Sequence, residues 1–371
     1  MKRLITLILI LYGINLSGLA IEVDKQYRKS FSGITSINCD LPFLNIKLVG
    51  DETTKDVNIN ATIVGSYKTS RGRHQEIDIK FNTNSGLLSI TLEGPKQWIN
   101  TRFEKAEIII NCPQDIEYSL NNINRDISII NTVGEKSRAN SISGNIYCKD
   151  INGKGSLDVE TSSGRVKVNN SNKILYLNSI SGDIYCNDIN NDISATSISG
   201  RINIQNSKGS IDSESSSGNI SISEAEGDIQ CNSISGRIKL NNIDCKFANT
   251  NSISGDIYLS NHNGNCDIES SSGRIKLTNF HGQVNIETIS GSIIGNELFL
   301  NGENSFSTHS GNTNVKLKNN IENVSLDAKS DFGSVQVGSF KGKRIKRGEG
   351  NTIIIGHSVS GVQNYQFINN F

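Results

Sequence analysis

The chain has 371 residues with Lys plus Arg and Asp plus Glu both at 37, so its overall charge points to no polyanionic partner. A hydrophobic content of 35% is low for a thick globular core, and 34 Gly against 3 Pro and 1 Met does not fit a helical protein. What remains is a thin core between narrow sheets, in which only alternate residues face inward.

Residues 1–20 read as a secretory signal. Lys2 and Arg3 supply the charged start, Leu4 to Leu11 the apolar run, and Gly18 and Ala20 the small residues before a cleavage point. No Cys follows, which argues against lipidation, and no later stretch has the eighteen apolar residues of a spanning helix. The mature chain is expected to be exported to the periplasm, the cell surface or the medium.

Residues 21–130 alternate like strands without a strict repeat, as in Asn58-Ile59-Asn60 and Leu88-Ser89-Ile90-Thr91-Leu92. This region is expected to be an irregular β cap, because an open solenoid end would recruit other strands.

Residues 131–371 are repetitive. Ser-Ile-Ser-Gly recurs with glycines at 144, 164, 182, 200, 218, 236, 255, 273 and 291. A weaker series (Gly155, Gly209, Gly227, Gly264, Gly282) falls midway, with Lys173, Asn191 and Lys246 at the vacant midpoints. In the sixteen nine-residue frames from Gly155 to Gly291, the second and fourth positions after the frame residue are apolar except at Ser213, Thr250 and Gly295. Period-two alternation predicts half-buried strands, and constant spacing predicts a solenoid of about 18 residues per coil, two strand-and-turn units each. Gly at each turn is expected to supply positive φ, with Asn191 substituting for it.

Outward positions form a second pattern. Arg and Asp alternate after the main glycines (Arg165, Asp183, Arg201, then Arg237, Asp256, Arg274), and can pair between coils. Tyr147, Lys167 and Tyr185, then Lys239, Tyr258 and Lys276, suggest a ladder with cation–π contacts. After Gly291 the coils lengthen to Gly311, Gly333 and Gly361, and the added residues include Lys341, Lys343, Arg344, Lys346 and Arg347. That cluster is the candidate contact for an anionic surface, weighed against a solvated loop.

The Ser-x-Ser-Gly-[Asp/Asn/Arg]-Ile tandem, with the ending Gly348-Glu349-Gly350-Asn351 and Ser358-Val359-Ser360-Gly361-Val362, resembles the bacterial "putative adhesin" β-solenoid family, also described as a domain of unknown function. It is similar in pattern to the GIN-type head domain of such surface adhesins. The resemblance implies an exported right-handed parallel β-solenoid without known catalytic residues.

Catalytic and metal chemistry finds little purchase. Calcium β-rolls need Gly-Gly-x-Gly-x-Asp, and here an apolar residue takes the ligand position. His74, His262, His281, His309 and His357 fall at different repeat phases and read as surface or turn residues. The corner serines have no His and carboxylate in register and are expected to bond corner backbone groups. Cys148, Cys186, Cys231 and Cys266 occupy inward slots as small hydrophobes, while Cys39 and Cys112 could pair; with seven cysteines at least one is unpaired.

The reading is therefore an all-β, non-enzymatic envelope or surface protein with no cofactor, an unidentified glycan or protein partner, and no specific nucleic acid. The alternatives are a polysaccharide-cleaving parallel β-helix enzyme and a periplasmic scaffold without an external ligand. Alternating Tyr365, Phe367 and Phe371 raise an outer-membrane barrel, but no set of barrel strands precedes them.

Overall fold

The computed structural model describes residues 20–68, 76–94 and 99–368. Residues 1–19 of the expected signal segment 1–20, His74 and Phe371 lie outside the described residues. The chain is an all-β parallel solenoid of about 11 turns, about 19 residues apart, with less regular N-terminal strands.

Each coil contributes one strand to each of two facing sheets. In the front sheet, Ile146–Ile151, Val166–Ser171, Ile184–Ile189 and Ile202–Lys208 stack in parallel, Cys148 on Val168 and Val168 on Cys186. In the back sheet, Ser156–Thr161, Ile174–Ser179, Ile193–Ser197 and Ile211–Ser215 do the same. All 32 of the predicted inward positions are buried. The three that break the apolar rule are handled differently. Leu298 fills the space above Gly295, its Cδ1 2.6 Å from where a Cβ would lie. Ser213 and Thr250 are buried with hydroxyls that bond nothing.

The corner motif can be read atom by atom. The first Ser is buried, and its Oγ accepts the N–H of the Gly three residues on: Ser179 to Gly182 at 2.8 Å, Ser197 to Gly200 and Ser215 to Gly218 at 2.9 Å. The second Ser donates to the coil before, as Ser181 Oγ does to the Ser162 carbonyl at 3.2 Å. Serine therefore bonds the corner backbone as expected. Glycine does not serve the expected purpose. The main-series glycines have no positive φ; a Cβ on any of them from Gly144 to Gly311 would stand 1.7–2.1 Å from the carbonyl oxygen of the corner residue one coil earlier. Close stacking excludes a side chain, whatever the dihedral.

Positive φ lies elsewhere, six residues after each main glycine, at Asp150, Asn170, Asp188, Asn206, Glu224, Asn242, Asn261, Asn279 and Glu297. Asn and Asp tolerate that region best among residues with a Cβ. Their side chains also chain together, Asn279 to Asn261 and Asn261 to Asn242, both at 2.9 Å. The midway glycines do have positive φ, such as Gly209 at 132° and Gly227 at 122°, but Asn191 does not. It instead donates to the Asn172 carbonyl at 2.9 Å.

Both ends depart from sequence order. Ser36–Asp40 pairs with Leu87–Glu93 on one side and Glu117–Asn122 on the other, while Asn45–Asp51 lies between Ile99–Pro113 and Ile127–Thr132. The first coil is thus enclosed by two later ones. At the other end Thr352–Ser358 lies between Glu303–Thr308 and Val324–Ser330, and Gln363–Phe367 between Thr313–Leu317 and Val335–Val337. The lengthened coils do not stack in chain order: Gly361 sits on Gly311, and Gly333 on Gly361. Antiparallel strands close the outer edges: Val57–Lys68, then Ala20–Phe31, at the start, and Phe340–Gly342 and Arg344–Arg347 at the finish.

The steric account of the corner gives a paired prediction. Gly182→Ala should lower unfolding stability by about 2–4 kcal/mol, since backbone must move apart. Ser181→Ala, one residue away and exposed, should cost about 1 kcal/mol or less. Equilibrium denaturation of the two variants decides; equal effects would remove the steric explanation.

Candidate binding faces

The solenoid offers side-chain ladders on two flat sheets, two corners and two capped ends. Their chemistry follows from which residues each coil projects outward.

On the front sheet the alternation after the main glycines has a backbone cause. Asn145, Asp183, Asn219 and Asp256 each use a side-chain oxygen to accept the backbone N–H of Arg165, Arg201, Arg237 and Arg274 on the next coil, at 2.9–3.0 Å. The arginine side chains then reach back or forward. Arg201 pairs with Asp183 at 3.0 Å, and Arg165 and Arg237 lie 5.6 and 5.5 Å from the ring centres of Tyr185 and Tyr258. The cation over tyrosine is therefore Arg from the next row, where Lys was expected. The front face is charge-mixed, and part of its charge is paired internally.

The back sheet differs. Over its strands from Ser156 to Thr288 the outward residues include Asp158, Glu160, Asp212, Glu214, Asp267, Glu269 and Glu287, with no Lys or Arg among them. Asp212 is pushed above the usual carboxylate range, first by desolvation against the sheet and then by Glu214. The balanced total charge conceals this sorting by face. Sequence reading missed it because the two sheets alternate every nine residues; separating charges by strand would have revealed it.

Beside this face runs a corner ridge. Ile142, Ile180, Ile198, Ile234, Ile253 and Ile289 occupy the variable position of Ser-x-Ser-Gly and are 50–60% exposed. Along it lies an open groove of about 630 Å³ from Thr196 to Ile289, with Glu214, Glu269 and Glu287 on its sheet side.

The basic cluster folds into the C-terminal edge hairpin. Arg344 and Lys346 both hold Asp327, at 2.6 and 3.0 Å, and Arg344 is first among the causes that keep its carboxyl down at about 2. Lys343 donates to the Phe332 carbonyl at 2.7 Å, and Arg347 lies 4.1 Å from the Phe340 ring centre. Lys341 is exposed, opposite Gln336. Most of the cluster's charge thus has an intramolecular partner.

The buried titratable groups among the described residues are mostly thiols. Among the described residues no three His, Cys, Asp or Glu side chains converge as metal ligands. His262 was expected at the surface, but it points inward, stacked 5.2 Å from Phe280 and with Nε2 3.7 Å from Cys245 Sγ. Burial pushes this imidazole down to about 4 and the Cys245 thiol up to about 12, so both are neutral at neutral pH. Cys39 and Cys112 are buried free thiols rather than a bridge. Lys173, at a corner where Gly was expected, is fully buried and donates to the Gly134 carbonyl and to Ser137 Oγ.

The sequence matches one family twice, over residues 45–223 and 205–368, together nearly all of the described chain. The chain belongs to the Toastrack DUF4097 family. Solved structures similar to this Toastrack chain include three at low identity. A "putative cell adhesion protein" from Clostridium sporogenes is 12% identical, with a TM-score of 0.17, over 93% of this chain and 100% of that one. A "putative lipid binding protein" from Parabacteroides distasonis is 17% identical, with a TM-score of 0.33, over 75% and 96%. A "putative adhesin" from Parabacteroides merdae is 13% identical, with a TM-score of 0.23, over 79% and 95%. No curated protein matches. None of the three is described as an enzyme, and among the described residues no helix is long and apolar enough to cross a membrane.

Two predictions follow from the buried and edge charges. Desolvation lowers Lys173 to about 8 from the ordinary 10.5. The unfolded chain therefore holds more protons between those values, and this residue's destabilising effect fades as pH rises through that window. Lys173→Met should be more stable than wild type at pH 7, by up to about 3 kcal/mol, with the gap closing by about pH 10.5. Melting both proteins across that range, and taking the difference, cancels the opposing titration of the buried thiols. At the edge, Asp327→Asn should loosen the Arg344–Arg347 strand and speed its amide exchange while leaving central coils protected; unchanged exchange there would mean that the ion pairs do not hold the hairpin.

Proposed function

We propose that the chain is exported and acts as a non-catalytic, adhesin-like rod of the cell envelope or surface, binding through its ladder faces. The observation that carries this reading is the absence of inserted loops across the central coils. From Gly155 to Gly291 the main glycines keep intervals of 18 or 19 residues, so both corners stay tight. A cleaving β-helix enzyme needs loops to build a cleft, and this stretch has no length from which to build one. Its usable surface is the regular array of outward side chains.

The signal-like residues 1–20 support export, and the Toastrack repeat supports a structural or binding part over a catalytic one. At the C-terminal hairpin, Lys341 with Lys343 and Arg347 gives an anionic envelope component a secondary contact.

Fractionation tests the location, and glycan arrays with cell-binding assays on the purified protein test the binding. The protein should appear in periplasm, on the surface or in the medium, and bind a glycan or protein saturably. Retention in the cytoplasm would overturn export. Uniform absence of binding would leave a scaffold, and release of oligosaccharides from an acidic polysaccharide panel would reverse the non-catalytic reading.

A further inference from the structure

The corner ridge carries a longer period than the coil. At its variable position the sequence runs Ile123, Ile142, Ser162, Ile180, Ile198, Ser216, Ile234, Ile253, Ser271, Ile289: two isoleucines, then a serine, every third coil. The outward back-sheet residue two places earlier keeps the same beat up to Glu269, with Glu160, Glu214 and Glu269 beside the three serines, and Glu287 beside Ile289 departs from it. Each notch in the apolar ridge is therefore flanked by a carboxylate. Asn232 and Asn251 stand between two of them, and the chain of amides from Asn251 to Asn232 ends on Glu214 Oε1 at 3.3 Å.

We propose that this groove docks an extended, cationic segment of a partner polypeptide with the pattern [Lys/Arg]-x-Φ-x-[Lys/Arg], Φ being apolar. The inference rests on the binding reading above and names the partner's chemistry. Charge, spacing and length select the occupant. Charge selects a cation: along the groove from Thr196 to Ile289 the sheet bears carboxylates and no base, which also disfavours an anionic lipid surface or a second copy laid acid against acid. Spacing selects an extended chain: Glu214 and Glu269 are three coils apart, about 14 Å, and residues i and i+4 of a strand are about 13–14 Å apart on one face. Residue i+2 points the same way, toward Ile234 and Ile253 between the two carboxylates. Length agrees as well, since the groove crosses five coil steps, about 24 Å, or about seven extended residues.

The repeat itself supplies mild variants. Serine already holds the ridge position at Ser216 and Ser271, and asparagine the neighbouring one at Asn232 and Asn251. Ile234→Ser with Ile253→Ser, and Glu214→Asn with Glu269→Asn, should therefore fold and melt like wild type. The probe is a synthetic peptide with two Lys-Ser-Leu-Ser-Lys units, against an isomer of equal composition with its lysines and leucines clustered. Titration calorimetry at low salt should show saturable binding of the patterned peptide. Each double variant, and the clustered isomer, should weaken it about ten-fold or more. No saturable binding, equal binding of both peptides, or binding untouched by the variants would overturn the proposal. So would sedimentation showing a dimer that the Ile→Ser pair abolishes, because the ridge would then belong to a second copy. The readout does not depend on cellular location, so a cytoplasmic protein would sink the reading above and leave this result standing.

Discussion

The fold depends on one close approach. At the Ser-x-Ser-Gly corner of successive central coils, the carbonyl oxygen of one glycine occupies the space that a Cβ on the next would need. Backbone can stack there only if the corner is bare, and the bare corner needs its N–H satisfied from within the coil, which the buried Ser or Thr three residues earlier does. The recurrence of Ser-x-Ser-Gly is thus a statement about main-chain contact. Everything outward of it, including the isoleucine ridge, the carboxylates and the arginine row, inherits its spacing from that contact.

Because the backbone fixes the spacing, surface chemistry can be sorted by face without altering the interior. The front sheet spends its side-chain oxygens on the next coil's N–H groups and its arginines on Asp or Tyr. The back sheet makes fewer such commitments, and its carboxylates stand beside exposed apolar groups. A surface whose charges are largely paired has less to offer a partner than carboxylates beside isoleucine that are held, like Glu214, only by a neutral amide.

The central coils were legible in the sequence because burial there is strictly periodic: an inward slot reads as apolar, and a bare corner as Gly. The cause of the glycine was not legible, since positive φ and close approach leave the same residue behind. Nor was the threading of the ends. Ser36–Asp40 and Gln363–Phe367 look like ordinary alternating strands, and nothing local records which neighbours they choose. Gly356 carries a trace of it, for a Cβ there would lie 2.2 Å from the buried Tyr365 hydroxyl, but that clash is visible only once the last coil is in place. Lys173 was not legible for a related reason: the sequence shows only a lysine at a glycine position, and its amine satisfies a carbonyl two coils away. The basic cluster was visible as a run of charge, but Asp327, its main counter-ion, lies 17 residues before Arg344.

The enclosed terminal coils change how such a stack can come apart. In a stack laid down in chain order, the outermost unit peels away alone and the next follows. Here the coil at residues 352–367 is clamped from both sides, and Val324–Ser330 has no other parallel strand to lean on. Loosening the C-terminal face therefore means withdrawing a segment from between two others, and the same geometry guards the N-terminal face. Length can then be gained or lost only in the interior, where whole coils are interchangeable, while each terminus behaves as a fixed plug.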